Sequence, residues 1–182
     1  MEQSSRKLPR HPEYDYNTPG YYFITFCTKD RAHLLGEIVG RSLPDAPPEH
    51  TPLRQKEHPG GCSLQAHMQY SAYGEIAWKQ LEKMTAYYPD IILEKYVIMP
   101  NHIHLLLRIP GILEQNQSDD QRKNNCVSKF IGTFKRFCNR QYGCNIWQTS
   151  FHDHIIRGKA DYEKIWMYIE TNPLRWEKDC FY

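Results

Sequence analysis

Paired cysteines are missing from this sequence: the six cysteines, at positions 27, 62, 126, 138, 144 and 180, form no C-x-x-C, which argues against a zinc ribbon and against a compact disulfide framework. We read them as reduced thiols, some of them buried. A long apolar run is missing too. The stretch Met1 to Asn17 is polar and carries Arg6, Lys7, Pro9 and Arg10, so it offers neither a signal peptide nor a membrane span, and a cytoplasmic protein without membrane attachment is expected. Neither charge sign is in excess: 23 Lys plus Arg against 21 Asp plus Glu leaves +2, so affinity for a polyanion has to come from clustering of cations. There is no internal repeat, and 182 residues suit one domain with a substantial core.

What is present reads as one αβ unit. Tyr21 to Thr28, rich in aromatic and β-branched residues after a Pro-Gly turn signal, is the expected first strand. From Ser42 to Gln65 the chain holds Pro44, Pro47, Pro48, Pro52, Pro59, Gly60 and Gly61, the composition of an irregular loop, and its flanks, Gly36 to Val39 and Met68 to Ser71, can pair across it. Ile76, Ala77, Leu81 and Met84 at helical spacing predict a helix over 72–88, closing before Pro89. Ile91 to Met99 and Ile103 to Ile109 read as an antiparallel hairpin turning at Pro100-Asn101. The polar stretch Glu114 to Asn125 precedes a second helix over 127–141. A last helix over 161–171 is expected to stop at Asn172-Pro173, because a residue before proline disfavours the helical region.

The hairpin carries the first chemical signal. Strand alternation sends His102, His104 and Leu106 to one face and Ile103, Leu105, Leu107 and Ile109 to the other. With the apolar face against helices, the histidines are expected on the opposite, accessible face, where two neutral imidazoles could share a divalent cation. Surface histidines on a half-exposed sheet are the plain alternative, and an H-x-H alone does not decide between them.

The last helix adds context. Tyr168 and Asn172 stand at i and i+4, so a phenol and an amide project from one side. Tyrosine can act as a covalent nucleophile, and a phosphotyrosine bond to a DNA end conserves the energy of the broken phosphodiester for rejoining. A phenol with a pKa of about 10 is a weak nucleophile at neutral pH, which calls for a metal to polarise the phosphate. The Asn172 oxygen with two imidazoles makes a donor set suited to Mg²⁺ or Mn²⁺. Taken singly, Tyr168 reads equally as a core aromatic and Asn172 as a helix C-terminal residue.

Three ordered segments, YVIMPNHIHLLL (Tyr96 to Leu107), NIWQTSFHDHIIR (Asn145 to Arg157) and YIETNPLRW (Tyr168 to Trp176), closely resemble the REP-associated tyrosine transposases of the HUH single-tyrosine superfamily. The resemblance runs from about Tyr21 to Trp176. It implies an α+β, ferredoxin-like sandwich with a central antiparallel sheet and helices on one face. It also implies His102, His104 and Asn172 as metal ligands for Mg²⁺ or Mn²⁺, Tyr168 as nucleophile, and a homodimer. The implied reaction cleaves single-stranded DNA at hairpin-forming sequences, leaving a 5′-phosphotyrosine and a free 3′-hydroxyl. One domain over 21–176 would then lie between a polar arm, 1–20, and a tail, 177–182, with the Pro-rich segment at about 42–66 as an insertion longer than the resemblance requires.

Further candidates follow for contact with DNA. Lys129, Lys135, Arg136 and Arg140 lie along the second helix, with Arg122 and Lys123 just before it, as a phosphate track or as a merely solvated face. Trp147, Phe151 and His154 offer base stacking, with core packing the simpler reading of Trp147, and His154 or Arg157 a phosphate contact. Two other activities compete: a catalytically silent hairpin-DNA-binding regulator, and a metal-dependent phosphodiesterase in which water attacks. A replication-initiating HUH nuclease would share the chemistry, but YIETNP resembles the transposases more closely.

Overall fold

The computed structural model describes residues 18–40, 66–111 and 126–178. The readings of an amino-terminal arm, of the Pro-rich insertion, of the polar stretch Glu114 to Asn125 and of a tail fall wholly or mainly outside those residues. In chain order the elements are β1 (Gly20–Cys27), a 3-10 turn (Lys29–Arg31), β2 (Gly36–Val39), β3 (His67–Tyr70), α1 (Ala72–Tyr87), β4 (Ile92–Ile98), β5 (His102–Ile109), α2 (Cys126–Tyr142), β6 (His152–Ile156), α3 (Lys159–Thr171) and a 3-10 helix (Pro173–Lys178). Every expected strand and helix forms, with ends shifted by one or two residues, and β6 is a further strand.

The main sheet has the order β4-β5-β1-β6, and each neighbouring pair is antiparallel. The connections β1-α1-β4 and β5-α2-β6 each skip one strand, which is the split βαβ arrangement of a ferredoxin-like α+β sandwich. β2 and β3 pair separately as the small ribbon expected across the Pro-rich segment.

Alternation along β1 and β5 sorts the core into two layers. Tyr22, Ile24 and Phe26 join Ile103, Leu105, Leu107 and Ile109 beneath Leu81 and Met84 of α1 and Phe130 and Phe134 of α2. On the other face Leu106 meets Ile156 and Ile169, with Phe23, Val97, Tyr162 and Trp166 packed around them. Helices on one face therefore describes α1 and α2, while α3 covers the opposite face. Polar contacts fasten α3 at both ends. Near its start, Asp161 pairs with His154 at 2.8 Å; near its end, Glu170 pairs with Lys95 at 2.6 Å, and the Lys95 ammonium also lies 4.1 Å from the Trp166 ring centre. The apolar side of α3 docks on the chain's own sheet.

The end of α3 departs from the proline rule. Asn172 keeps helical angles (φ −57, ψ −45) directly before Pro173, and the chain tightens into the 3-10 helix instead of turning away. Proline's missing N–H suits this junction, and the consequence is spatial: Tyr168, Asn172 and Trp176, four apart, continue along one side.

Gly74 marks a close approach. It lies in the first turn of α1, where its N–H donates to the Ser71 side chain at 3.2 Å, and a Cβ there would stand 1.9 Å from the Leu35 carbonyl oxygen. That oxygen already accepts from the Ser71 N–H at 3.0 Å, so it cannot easily retreat. Gly74→Ala is therefore expected to lower stability by about 1–3 kcal/mol despite alanine's better helix propensity. Thermal unfolding checks the sign.

Candidate active site

The two histidines of β5 lie side by side across β1, whose register sets Cys27 opposite His102 and Thr25 opposite His104. Their Nε2 atoms converge to 2.9 Å. Each outer nitrogen meets an oxygen: His102 Nδ1 is 2.8 Å from Asn101 Oδ1, and His104 Nδ1 is 2.7 Å from Thr25 Oγ1. Phe23 stacks on the His104 ring with centroids 5.1 Å apart. Burial is close to complete, with His102 0% and His104 1% exposed. The expectation of an accessible histidine face is thus corrected, because the period of a strand tells which face a side chain takes but not that α3 will lie across it. That burial, and then the neighbouring His102, holds the His104 pKa well below the ordinary histidine value, so its imidazole is neutral.

The side of α3 and its 3-10 extension completes the cluster. The Tyr168 hydroxyl lies 3.4 Å from His104 Nε2, and its ring meets Phe23 edge-on at 5.9 Å. Trp176 tilts over His102 at 5.9 Å, and His33 packs on Trp176 at 5.4 Å. Asn172, 2% exposed, sits one helical turn from each of these two contacts. Among the described residues no group of three His, Cys, Asp or Glu side chains is placed to hold a metal. The donor set at this place is two imidazole nitrogens and one amide. The converging Nε2 atoms fit a shared cation, since a single small ion accepts both lone pairs, and an amide oxygen would supply a harder donor.

The proposed DNA-contacting residues do not all gather here. Lys129, Arg136 and Arg140 are exposed on α2, which lies on the face of the sheet away from the histidines. Lys135 is a correction: it is 9% exposed, and its ammonium donates to the carbonyl oxygens of Gln148 at 2.7 Å and Ser150 at 2.9 Å. It ties α2 to the segment leading into β6 because those carbonyls need donors that no strand supplies. Lys135→Met is expected to destabilise the fold by about 1–3 kcal/mol through the orphaned carbonyls, with little change in DNA affinity. Chemical denaturation and a binding titration, run together, separate the two effects. For Trp147 the core reading holds and the stacking one falls: it is 1% exposed between Phe26 and Phe134, and Phe151, 4% exposed, joins the same core. His154 and Arg157 are exposed at the β6–α3 junction, where one Asp161 oxygen takes the His154 ring nitrogen and the Arg157 backbone N–H. The hydrogen bond from His154 is the main reason that the Asp161 carboxyl stays below its usual pKa.

Sequence reasoning missed Thr25, Phe23, Asn101 and Trp176. The first two needed the β1–β5 register. Asn101 stood next to His102 but read as a turn residue, and Trp176 was quoted in a motif without a role.

No family profile matches the sequence. A Haemophilus influenzae protein of unassigned function is 26% identical over 192 aligned positions, spanning 97% of this chain and 93% of that one. Among solved structures, a REP-associated tyrosine transposase bound to a REP hairpin superposes with a TM-score of 0.54 and 20% identity, covering 92% of this chain and 73% of that one. The family that the sequence motifs resemble is thus also the one met in the fold comparison. Across most of its length, this chain has the α+β fold of a REP-associated tyrosine transposase.

Proposed function

We propose that this protein cleaves and rejoins single-stranded DNA at hairpin-forming sequences in a transposition reaction, through a 5′-phosphotyrosine link at Tyr168. The observation that carries the reading is the placement of the Tyr168 hydroxyl 3.4 Å from His104 Nε2, itself 2.9 Å from His102 Nε2. A silent DNA-binding protein has no use for a phenol set against a neutral imidazole that is paired with a second one. In the reaction, Tyr168 Oη bonds to phosphorus and the bond from phosphorus to the 3′ oxygen breaks. The phenol proton passes to water, and the departing 3′ oxygen takes one up. Rejoining is the reverse, with a 3′-hydroxyl as attacking group, so no nucleotide cofactor is consumed. His102, His104 and Asn172 would hold Mg²⁺ or Mn²⁺, whose charge would stabilise the scissile phosphate. Phe23 and Trp176 confine the two rings from either side. A hairpin partner agrees with the fold relative, which was solved bound to one.

The test is incubation with short single-stranded DNA hairpins and Mg²⁺ or Mn²⁺, followed by denaturing electrophoresis. A protein–DNA band that withstands denaturation and vanishes on chelation is expected. Cleaved DNA with no such band would favour attack by water; binding without cleavage across many hairpins would favour the silent regulator.

A further inference from the structure

We infer that Asn101 is a positioning residue, whose side-chain oxygen fixes the His102 ring as the Nδ1–H tautomer and so aims the Nε2 lone pair toward His104. The inference rests on the proposed role of His102, but its first readout does not depend on that role. The amide orientation has an independent anchor. Asn101 Nδ2 donates to the Arg31 carbonyl oxygen at 3.2 Å, which leaves Oδ1 as the atom 2.8 Å from His102 Nδ1. Turning the amide over would set Oδ1 against the Arg31 oxygen, two acceptors face to face. An amide oxygen only accepts, so the proton of this contact sits on His102 Nδ1.

The anchor is built into the backbone. Asp30 and Arg31 both hold left-handed angles, φ 53 and φ 54, in the short turn after β1. Side-chain-bearing residues adopt such angles under strain, and surrounding contacts must hold them there. The main chain of Asn101 is clamped as well, its carbonyl accepting from the Thr28 N–H at 2.8 Å and from Thr28 Oγ1 at 3.0 Å. Thr28 Oγ1 shares its one proton between that carbonyl and the Ala32 carbonyl oxygen at 2.7 Å, closing the turn. A line of hydrogen bonds thus runs from the strained turn through the Asn101 amide to the His102 ring, whose Nε2 lies 2.9 Å from that of His104, the ring that meets the phenol. Thr25 cannot do the same for His104, because a hydroxyl both donates and accepts and so leaves that tautomer open.

Long-range ¹H–¹⁵N correlations on the imidazoles of the full chain, without metal, read the tautomer directly. In the wild type His102 is expected wholly in the Nδ1–H form; in Asn101→Ala the two tautomers should mix, and Asn101→Asp, which keeps an acceptor, should restore the Nδ1–H form. A Mn²⁺ titration followed by electron paramagnetic resonance is expected to show affinity about 10–100-fold weaker in Asn101→Ala, with Asn101→Asp not following it. Circular dichroism verifies that each variant is folded. An Nε2–H tautomer in the wild type, or an unchanged tautomer in Asn101→Ala, overturns the assignment. A wild type with the expected tautomer and no Mn²⁺ affinity would overturn the metal reading of the site while supporting the assignment of Asn101.

Discussion

Tyr168→Phe is expected to abolish covalent attachment to DNA and to lower strand cleavage by at least about 10³-fold, the scale on which loss of a covalent nucleophile acts. The substitution removes one oxygen and leaves the ring, so the edge-on contact with Phe23 and the 5.2 Å contact with His104 both persist. Little of the fold depends on that oxygen, and the melting temperature should hardly move. This makes the variant more informative than His102→Ala or His104→Ala. Those would empty space beneath α3 from fully buried positions, and their loss of cleavage would mix chemistry with structure. Quantitative single-turnover cleavage of a labelled hairpin, beside thermal unfolding, checks both halves. Cleavage that persists in Tyr168→Phe would transfer the role of nucleophile to water.

Trp147→Ala is expected to cost about 3–5 kcal/mol of folding stability, enough to unfold a marginal domain. The indole is 1% exposed, wedged 5.3 Å from the Phe26 ring and 5.8 Å from that of Phe134. Thr28 bridges to the Trp147 backbone, so the strand that carries Phe26 is tied to the same residue. Truncation would leave a cavity that two aromatic rings and a strand cannot collapse to fill. Urea denaturation measures the loss. Unchanged stability together with weaker binding of unpaired DNA would return Trp147 to the role of a stacking platform, against its burial.

The fold was largely legible in the sequence because its strands and helices carry strong periodicities. The alternation around His102 and His104 placed Ile103, Leu105 and Leu107 in the main core, and the structure agrees. Alternation could not show that the other face is also covered, since Leu106, Ile156 and Ile169 come from three distant segments that only tertiary packing unites. The same limit explains the site. Tyr168 and Asn172 were visible as a helical pair, and His102 and His104 as a strand pair, but the contact between the pairs depends on how α3 docks. Thr25 beside His104 follows from a register that no local pattern reveals. Lys135 was misplaced, and Trp147 was left with two readings, for a related reason: a cation on a helix and an aromatic in a connecting segment look the same in sequence whether they meet solvent or a buried carbonyl and a ring. The proline rule failed at Asn172 because the packing of Trp176 against His102 and His33 favours a chain that keeps turning.

Peptide mapping of the DNA adduct by mass spectrometry tests the central claim most directly. After reaction with a hairpin and Mg²⁺ or Mn²⁺, nuclease trimming and proteolysis, the account predicts a nucleotide phosphate on the peptide containing YIETNPLRW, with fragment ions placing it on Tyr168. The same modification on another of the thirteen tyrosines, or fully cleaved DNA with no modified peptide at all, would contradict it.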